Sequence, residues 1–111
     1  MAQKETSVGI DVAKATLDVS VQPAAERWQF MNDEGGIREL VGRLESLSPS
    51  LVVLEATGGL ERGVTVAAQE QPVMVVNPRQ VREFARATGQ LAKTDRIDAD
   101  VLALFGERIR P

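Results

Sequence analysis

Two short apolar runs, neither interrupted by a polar residue, limit what this chain can fold into. They occupy residues 51–54 and 73–76. An unbroken run of this length is typical of a strand that is covered on both faces. Residues 60–68 between them carry a helical pattern. The succession of strand, helix and strand predicts parallel strands packed between helices.

The residues before the first apolar run predict three more strands. Apolar and polar residues alternate at 8–12 and 16–21, and a third short strand is predicted around 27–31. The segment 23–26 contains a proline and is predicted to be a turn. Short connections of this kind favour an antiparallel meander.

Helical spacing and capping residues predict the remaining elements. Asn32 or Asp33 suits the N-cap of the first helix, and Pro78 suits the first turn of another helix, which runs to about residue 87. The polar segment 88–93 is predicted to be a loop, and Thr94 is predicted to cap a last helix. The order β-β-β-α-β-α-β-α predicts an α/β fold, in which helices pack on a mixed five-stranded sheet. This is the order of the RNase H-like fold.

Composition limits the chemistry more than the fold. The chain has 111 residues, with 43% hydrophobic and 26% charged, as in a single globular domain. It contains no cysteine and no histidine, which excludes disulfides, thiolate sites and a serine-histidine triad. Hydrolytic chemistry would therefore need carboxylates and a hard cation. The net charge of −3 argues mildly against a nucleic-acid-binding module, unless clustered acids bind cations. Neither a signal peptide nor a membrane helix is predicted, so a cytoplasmic location is expected.

Two acidic residues stand at unusual places in the predicted strands. Asp11 lies inside an apolar strand, where a carboxylate costs several kcal/mol unless it is paired or binds metal. Alternatively, Asp11 faces solvent or caps the turn at Ala13. Glu55 ends a buried parallel strand, which is where open α/β sheets bind ligands, or it is a solvated strand-end acid. The glycines that follow at 58–59 would let a substrate backbone come close.

Two further acids, Asp95 and Asp98, are three residues apart in the last predicted helix. That spacing places them on one face, where both can reach one ion or an ion pair. The alternative is that they complement the helix dipole, which explains Asp95 better than Asp98. Asp100 is expected to point elsewhere.

Basic residues recur near these acids and along one helix. A stripe at three- and four-residue spacing on the helix that begins at Pro78 can follow phosphates without reading sequence. The alternative is a solvated helix face interleaved with Glu83. Trp28 and Phe30 are expected to belong to the core, and Asn77 to lie at the same sheet edge as Glu55. The candidate nucleic-acid-binding residues are Lys14, Arg79, Arg82, Arg86, Lys93 and Arg96.

Three motifs resemble those of the DEDD transposases of bacterial insertion sequences and the related pilin-gene invertases. They are G-I-D-V-A-K at 9–14, L-E-A-T-G-G at 54–59 and K-T-D-R-I-D-A-D at 93–100. The resemblance covers nearly the whole chain and implies an RNase H-like domain related to the RuvC Holliday-junction resolvases. It also implies DNA cleavage and strand transfer during transposition. The implied catalytic and metal-binding residues, which would hold Mg²⁺ or Mn²⁺ as two ions, are Asp11, Glu55, Asp95 and Asp98.

The resemblance implies partners as well. Family members continue into a second domain with a catalytic serine, which a chain ending at Pro111 does not include. The isolated domain is therefore expected to be inactive or weakly active. DNA, a structured guide RNA and other copies of the full-length protein are the implied partners.

Two other functions stay open at this point. One is an actin-like or sugar-kinase ATPase fragment, because the motif at 9–14 loosely resembles the first phosphate loop of that superfamily. The second phosphate motif and the adenosine motif of those proteins are missing. The other is a non-catalytic module that binds RNA or partner subunits, in which the acids serve structure.

Overall fold

The computed structural model describes residues 5–89 and 97–109 of the chain. None of the helices in these two segments has the length and apolar character needed to cross a membrane. The strands are β1 (Ser7–Val12), β2 (Thr16–Gln22), β3 (Glu26–Met31), β4 (Leu51–Glu55) and β5 (Val73–Val76), and the helices are α1 (Glu34–Leu47), α2 (Arg62–Ala67), α3 (Pro78–Ala87) and α4 (Ala99–Ile109).

The five strands form one mixed sheet in the order β3-β2-β1-β4-β5. β1, β2 and β3 pair antiparallel, whereas β4 lies parallel to both β1 and β5. Short turns suffice to join antiparallel neighbours, and the parallel neighbours are joined by chain segments that contain a helix. The predicted meander and the predicted mixed five-stranded sheet are both confirmed.

The sheet has a separate core on each face. Val52 and Leu54 pack with α1 and α2 on one face, and Leu51 and Val53 pack with α3 and α4 on the other. This burial on both faces explains the unbroken apolar run in β4. The same prediction is only partly right for β5, where Val75 is 43% exposed because β5 lies at the edge of the sheet.

Side-chain caps decide where α1 and α3 begin. Asp33 caps α1, and its Oδ1 accepts a hydrogen bond from the Gly36 amide at 2.7 Å. Asn32, the other candidate, instead donates from Nδ2 to the carbonyl oxygen of Ala13 at 2.8 Å and supports the β1–β2 turn. Pro78 is the first residue of α3, as predicted, and Asn77 caps this helix because its Oδ1 accepts from the Arg79 amide at 2.8 Å.

The start of α4 differs from the prediction. Ile97 and Asp98 are not helical, and the helix begins at Ala99. Asp98 occupies the N-cap position, because its Oδ1 accepts from the Val101 amide at 3.0 Å and its carbonyl oxygen accepts from the Leu102 amide at 3.1 Å. Thr94, the predicted cap, lies outside the described residues, as does most of the predicted loop.

α4 lies directly against β1, and Gly9 makes this approach possible. A methyl group at Gly9 would collide with the backbone atoms of Ala99 and Ala103. The carbonyl oxygen of Ala103, one helical turn after Ala99, accepts a hydrogen bond from the Ser7 hydroxyl at 2.7 Å. The distance between helix and strand is therefore set by a missing side chain and a buried hydrogen bond.

Replacing Gly9 by alanine is expected to destabilise the fold by about 1–3 kcal/mol, the usual cost of overfilling a packed contact. The matched control is Gly42→Ala in α1, where an added methyl group meets nothing within 4 Å. That change should stabilise the protein by about 0.5–1 kcal/mol, because alanine favours a helix more than glycine does. Chemical unfolding of both variants measures the difference. Equal free energies of unfolding would contradict the proposed packing role.

Candidate functional site

Asp11 lies on the α4 side of the sheet, opposite in direction to its apolar neighbours in β1. Ile10 packs in the core beneath α1, so the alternation of the strand turns Asp11 towards the same side as Gly9. The partner of Asp11 across the antiparallel pair is Asp18 in β2. Asp18 Oδ1 accepts a hydrogen bond from Gln29 Nε2 at 2.7 Å. Two aspartates therefore stand side by side on one face.

These two residues and the start of α4 line one cleft of about 430 Å³, which we call the acidic cleft. It lies between α4 and the meander of β1, β2 and β3. Four aspartates from three separate parts of the chain contribute to it. The charged residues that line it, within the described part of the chain, are Asp11, Asp18, Asp98, Asp100 and Arg27.

Asp98 and Asp100 reach the acidic cleft in different ways. Asp98 does so as the N-cap of α4, with its side chain held by the Val101 amide. Asp100, in the first turn of α4, forms an ion pair with Arg27 of β3. The expectation that Asp100 points elsewhere is wrong, because the late start of α4 changes the face on which each residue lies.

Glu55 ends β4, the parallel neighbour of β1, as predicted. The last paired residues are Ile10 and Leu54, so Asp11 and Glu55 come next on adjacent strands. The alternation of β4 turns Glu55 to the side of Val53, which is the α4 side. Glu55 thus shares the sheet face of Asp11, although it does not line the acidic cleft itself.

The structure brings together some of the predicted site residues. Asp11 and Asp98 both line the acidic cleft, and Glu55 lies on the same face of the sheet. Asp95, Lys93 and Arg96 lie outside the described residues. Within 5–89 and 97–109, no three acidic side chains come close enough together to hold a metal ion.

The sequence analysis missed Asp18, Asp100, Arg27 and Gln29. The signal for Asp18 lies in the hairpin itself. Residues 13–16 connect the paired residues Val12 and Leu17, and the pairing continues one step to Asp11 and Asp18. Arg27 and Gln29 alternate with the core residues of β3 and so face the same way as Asp18.

The loop that follows Glu55 is held by a single carboxylate oxygen. Glu61 Oε2 accepts from the amide of Gly59 at 3.0 Å, the hydroxyl of Thr57 at 3.1 Å and the amide of Thr57 at 3.3 Å. Gly58 and Gly59 have positive φ angles of 73° and 107°, which a glycine adopts without strain. The loop next to Glu55 is therefore ordered by its own side chains.

These contacts perturb the titration of Glu61. A hydrogen bond from its own backbone amide, and then those from Thr57 and Gly59, lower the pKa of the Glu61 carboxyl below its ordinary value of 4.5, although partial burial opposes the change.

The arginines of α3 share one side of that helix. Val81 and Ala85 are buried against the sheet, and Phe84 packs edge to face against Phe105 with the ring centroids 5.2 Å apart. A groove of about 410 Å³ lies on the outer side. It is lined by Pro78, Arg79, Arg82, Glu83 and Arg86. The predicted stripe is thus present, together with the glutamate that interrupts it.

The aromatic residues of β3 belong to the core, as predicted. Phe30 is buried, Trp28 packs against the same core, and the two rings meet edge to face. The Arg43 guanidinium lies 5.1 Å from the Trp28 ring centroid.

Lys14, a predicted nucleic-acid-binding residue, is exposed in the turn that follows β1.

Comparison with known proteins adds the family to this geometry. The model of the DEDD transposases of the IS110 type, described as "Transposase", matches residues 8–110. The chain belongs to this transposase family. It is 31% identical to the pilin gene-inverting protein of Moraxella bovis and 30% identical to that of Moraxella lacunata. Each alignment covers 96% of this chain and 36% of the relative, so the chain spans about a third of their length.

Solved structures show which fold this IS110-type chain has. Thermus thermophilus RuvC in complex with a Holliday junction substrate superposes with a TM-score of 0.60 and 22% identity, covering 96% of both chains. A second RuvC structure from the same organism gives a TM-score of 0.57 at 23% identity, covering 94% of this chain and 96% of RuvC. The predicted RNase H-like fold is confirmed.

We expect the Glu61 contacts to stabilise the fold in a pH-dependent way. Since the folded-state pKa lies below the unfolded value, the stabilisation is complete above about pH 4.5 and disappears as the pH falls through the lowered pKa. The difference in unfolding free energy between wild type and Glu61→Gln should therefore be constant at neutral pH and shrink in acid.

Glu39→Gln, on the exposed side of α1, is the matched control for this titration. Urea unfolding at several pH values between about 3 and 7, which span the ordinary carboxyl pKa, gives the free energy of unfolding of wild type and of both variants. A difference for Glu61→Gln that stays flat over the whole range would contradict the role assigned to the carboxylate.

Proposed function

We propose that this chain is a divalent-metal-dependent nuclease domain that cleaves and transfers DNA strands during transposition of an insertion sequence. Membership of the IS110 transposase family and the RNase H-like fold support a nucleic-acid-cleaving enzyme. The observation that carries the proposal further is the acidic cleft, into which three separate parts of the chain bring aspartates.

The acidic cleft has a charge balance that favours cations. Like charges placed directly opposite each other on neighbouring strands destabilise a sheet, and Asp11 faces Asp18 in this way. Among the described residues that line it, four aspartates face one guanidinium, that of Arg27. A divalent cation would neutralise the excess charge, which gives a physical reason for the cluster.

Carboxylates are the ligands that Mg²⁺ and Mn²⁺ prefer, so the donor set fits these ions. Mg²⁺ usually keeps several waters and takes only one or two protein carboxylates beside substrate phosphates. Among the described residues no three acidic side chains come close enough together to hold an ion by themselves, which is compatible with that habit. The proposed ligands for a pair of ions are Asp11, Glu55, Asp95 and Asp98.

When bound, such ions would activate the attacking oxygen and stabilise the leaving oxygen of a phosphodiester. The protein's own part is to orient the carboxylates. Asp98 is held by the Val101 amide, and Glu55 is followed by the loop that Glu61 orders.

The attacking oxygen is proposed to enter the acidic cleft from outside. Among the described residues that line it, the hydroxyl belongs to Ser20, whose relative exposure is 0%. Water or a serine from another domain of the whole protein would take this role. With water alone we expect only weak nicking by this chain, because in-line attack needs an oxygen held within about 3–3.5 Å.

DNA is the proposed substrate. The curated relatives are named for inverting a pilin gene, and one RuvC neighbour was solved with a Holliday junction substrate. The arginines of α3 would contact phosphates of DNA or of a structured guide RNA, and Lys14 would do so beside Asp11.

We further propose that the whole protein acts as a homo-oligomer in the cytoplasm. The family match favours this function over the ATPase alternative.

The decisive test uses Asp98, because capping and metal binding can be separated there. Asparagine caps a helix about as well as aspartate but carries no charge, so Asp98→Asn should fold like wild type. It should nevertheless lose the rise in melting temperature that Mn²⁺ produces in wild type. At ten times Kd that rise corresponds to about 1.4 kcal/mol. Mn²⁺-dependent nicking of DNA should fall by about tenfold or more.

Two variants complete this test. Asp98→Ala should also lose the cap, at a cost of about 0.5–2 kcal/mol without metal. Asp33→Asn, at the N-cap of α1 and outside the acidic cleft, is the matched control and should keep both metal responses. If Asp98→Asn keeps the melting shift and the nicking activity of wild type, Asp98 is only a cap and the proposed ligand set is wrong.

The α3 stripe gives a second prediction. Arg79→Gln combined with Arg86→Gln should weaken binding to DNA or structured RNA of any sequence. It should also reduce the slope of log K against log salt by up to about 2, because each arginine that binds a phosphate contributes about one to that slope. Fluorescence anisotropy at several salt concentrations measures both quantities.

A double variant of α1, Arg38→Gln with Arg43→Gln, makes the same change in charge on the opposite side of the sheet. It should leave the salt slope near the wild-type value. Equal losses of affinity and slope in the two double variants would mean that only net charge matters and that the stripe is a solvated face.

A further inference from the structure

The ion pair between Arg27 and Asp100 joins two walls of the acidic cleft. Arg27 belongs to β3, the edge strand of the meander, and Asp100 to the first turn of α4, 73 residues later. The two side chains are 75% and 34% exposed. An ion pair this exposed contributes little to global stability, so its location is the informative property.

That location is two residues from the N-cap of α4. Asp98 Oδ1 is bonded to the Val101 amide, so the direction of the Asp98 side chain depends on how the first turn of α4 sits. Ala99, between the two aspartates, is buried against the sheet. Anchoring Asp100 to β3 therefore restrains the backbone that carries Asp98.

We propose that Arg27 is a positioning residue, which through Asp100 holds the first turn of α4 against the meander and keeps Asp98 directed into the acidic cleft. The inference rests on the proposed metal-dependent function, since Asp98 is there a metal ligand. Arg27 itself contacts neither metal nor substrate in this role.

Electrostatics supplies a sharp alternative. If Arg27 and Asp100 acted only through their charges, their removal would have opposite effects on a cation in the cleft. Loss of the positive Arg27 would tighten Mn²⁺ binding, and loss of the negative Asp100 would weaken it. A positioning pair predicts the same sign for both, because either change releases the first turn of α4.

The test is a double-mutant cycle on the full chain with Mn²⁺ as the probe. Arg27→Met keeps most of the side-chain length and removes every donor, and Asp100→Asn removes the charge. Free Mn²⁺ is measured by electron paramagnetic resonance. Each single variant should bind Mn²⁺ about two- to fivefold more weakly, the size expected for an exposed pair, and the double variant should be no worse than either.

A second readout needs no metal. The amides of Val101 and Leu102 bond to Asp98, so their hydrogen exchange reports the order of the first turn of α4. Exchange should be about two- to fivefold faster in both single variants, with no further increase in the double variant. Arg38→Met and Glu34→Gln, from the i,i+4 ion pair of α1, are matched controls and should change neither readout.

The outcomes separate the two proposals. Three results would each overturn the positioning role. The first is a change of opposite sign in Mn²⁺ affinity for Arg27→Met and Asp100→Asn, and the second is additive effects in the double variant. The third is unchanged hydrogen exchange at Val101 and Leu102. A wild-type chain that binds no Mn²⁺ would instead overturn the proposed metal site, and the exchange rates alone would then decide whether Arg27 holds α4.

Discussion

The close packing of α4 on β1 is the constraint on which the rest of the structure depends. Without a side chain at Gly9 the helix can approach the strand, and the buried hydrogen bond from Ser7 to Ala103 fixes it there. This contact covers one face of the sheet and completes the second core. It also brings the N-terminus of α4, and with it Asp98, to the same side as Asp11.

The aspartates of the acidic cleft repel one another, and the surrounding structure reduces the destabilisation that this repulsion causes. Gln29 donates to Asp18, and Arg27 pairs with Asp100, so two of the four aspartates have polar partners from β3. The meander therefore does more than complete the sheet, because its outer strand supplies the side chains that face these acids. A similar arrangement orders the loop after β4, where one oxygen of Glu61 accepts three hydrogen bonds.

Sequence patterns predicted the sheet well because its signals are local. Alternation in β1 and β2 and the unbroken run in β4 each report how many faces of a strand are buried. The predicted start of α4 was wrong because a local pattern does not distinguish between acceptable caps, and Asp98 caps the helix. Asp100 was misassigned as a consequence. Arg27 was missed because its partner is 73 residues away, a separation that no local pattern reports.

In the proposed site, Asp98 stands at the N-terminus of α4, and its carboxylate alone would not suffice to bind a metal ion at that position. The N-terminus of a helix carries a partial positive charge, which favours an anion at the cap and opposes a cation nearby. A metal ion beside α4 would therefore need more negative charge than Asp98 alone provides. Asp11 and Asp18 from the hairpin supply that excess, since Asp100 is paired with Arg27. Asp18, which lies outside the proposed ligand set, would then belong to the electrostatics of the site even though it does not bind the ion.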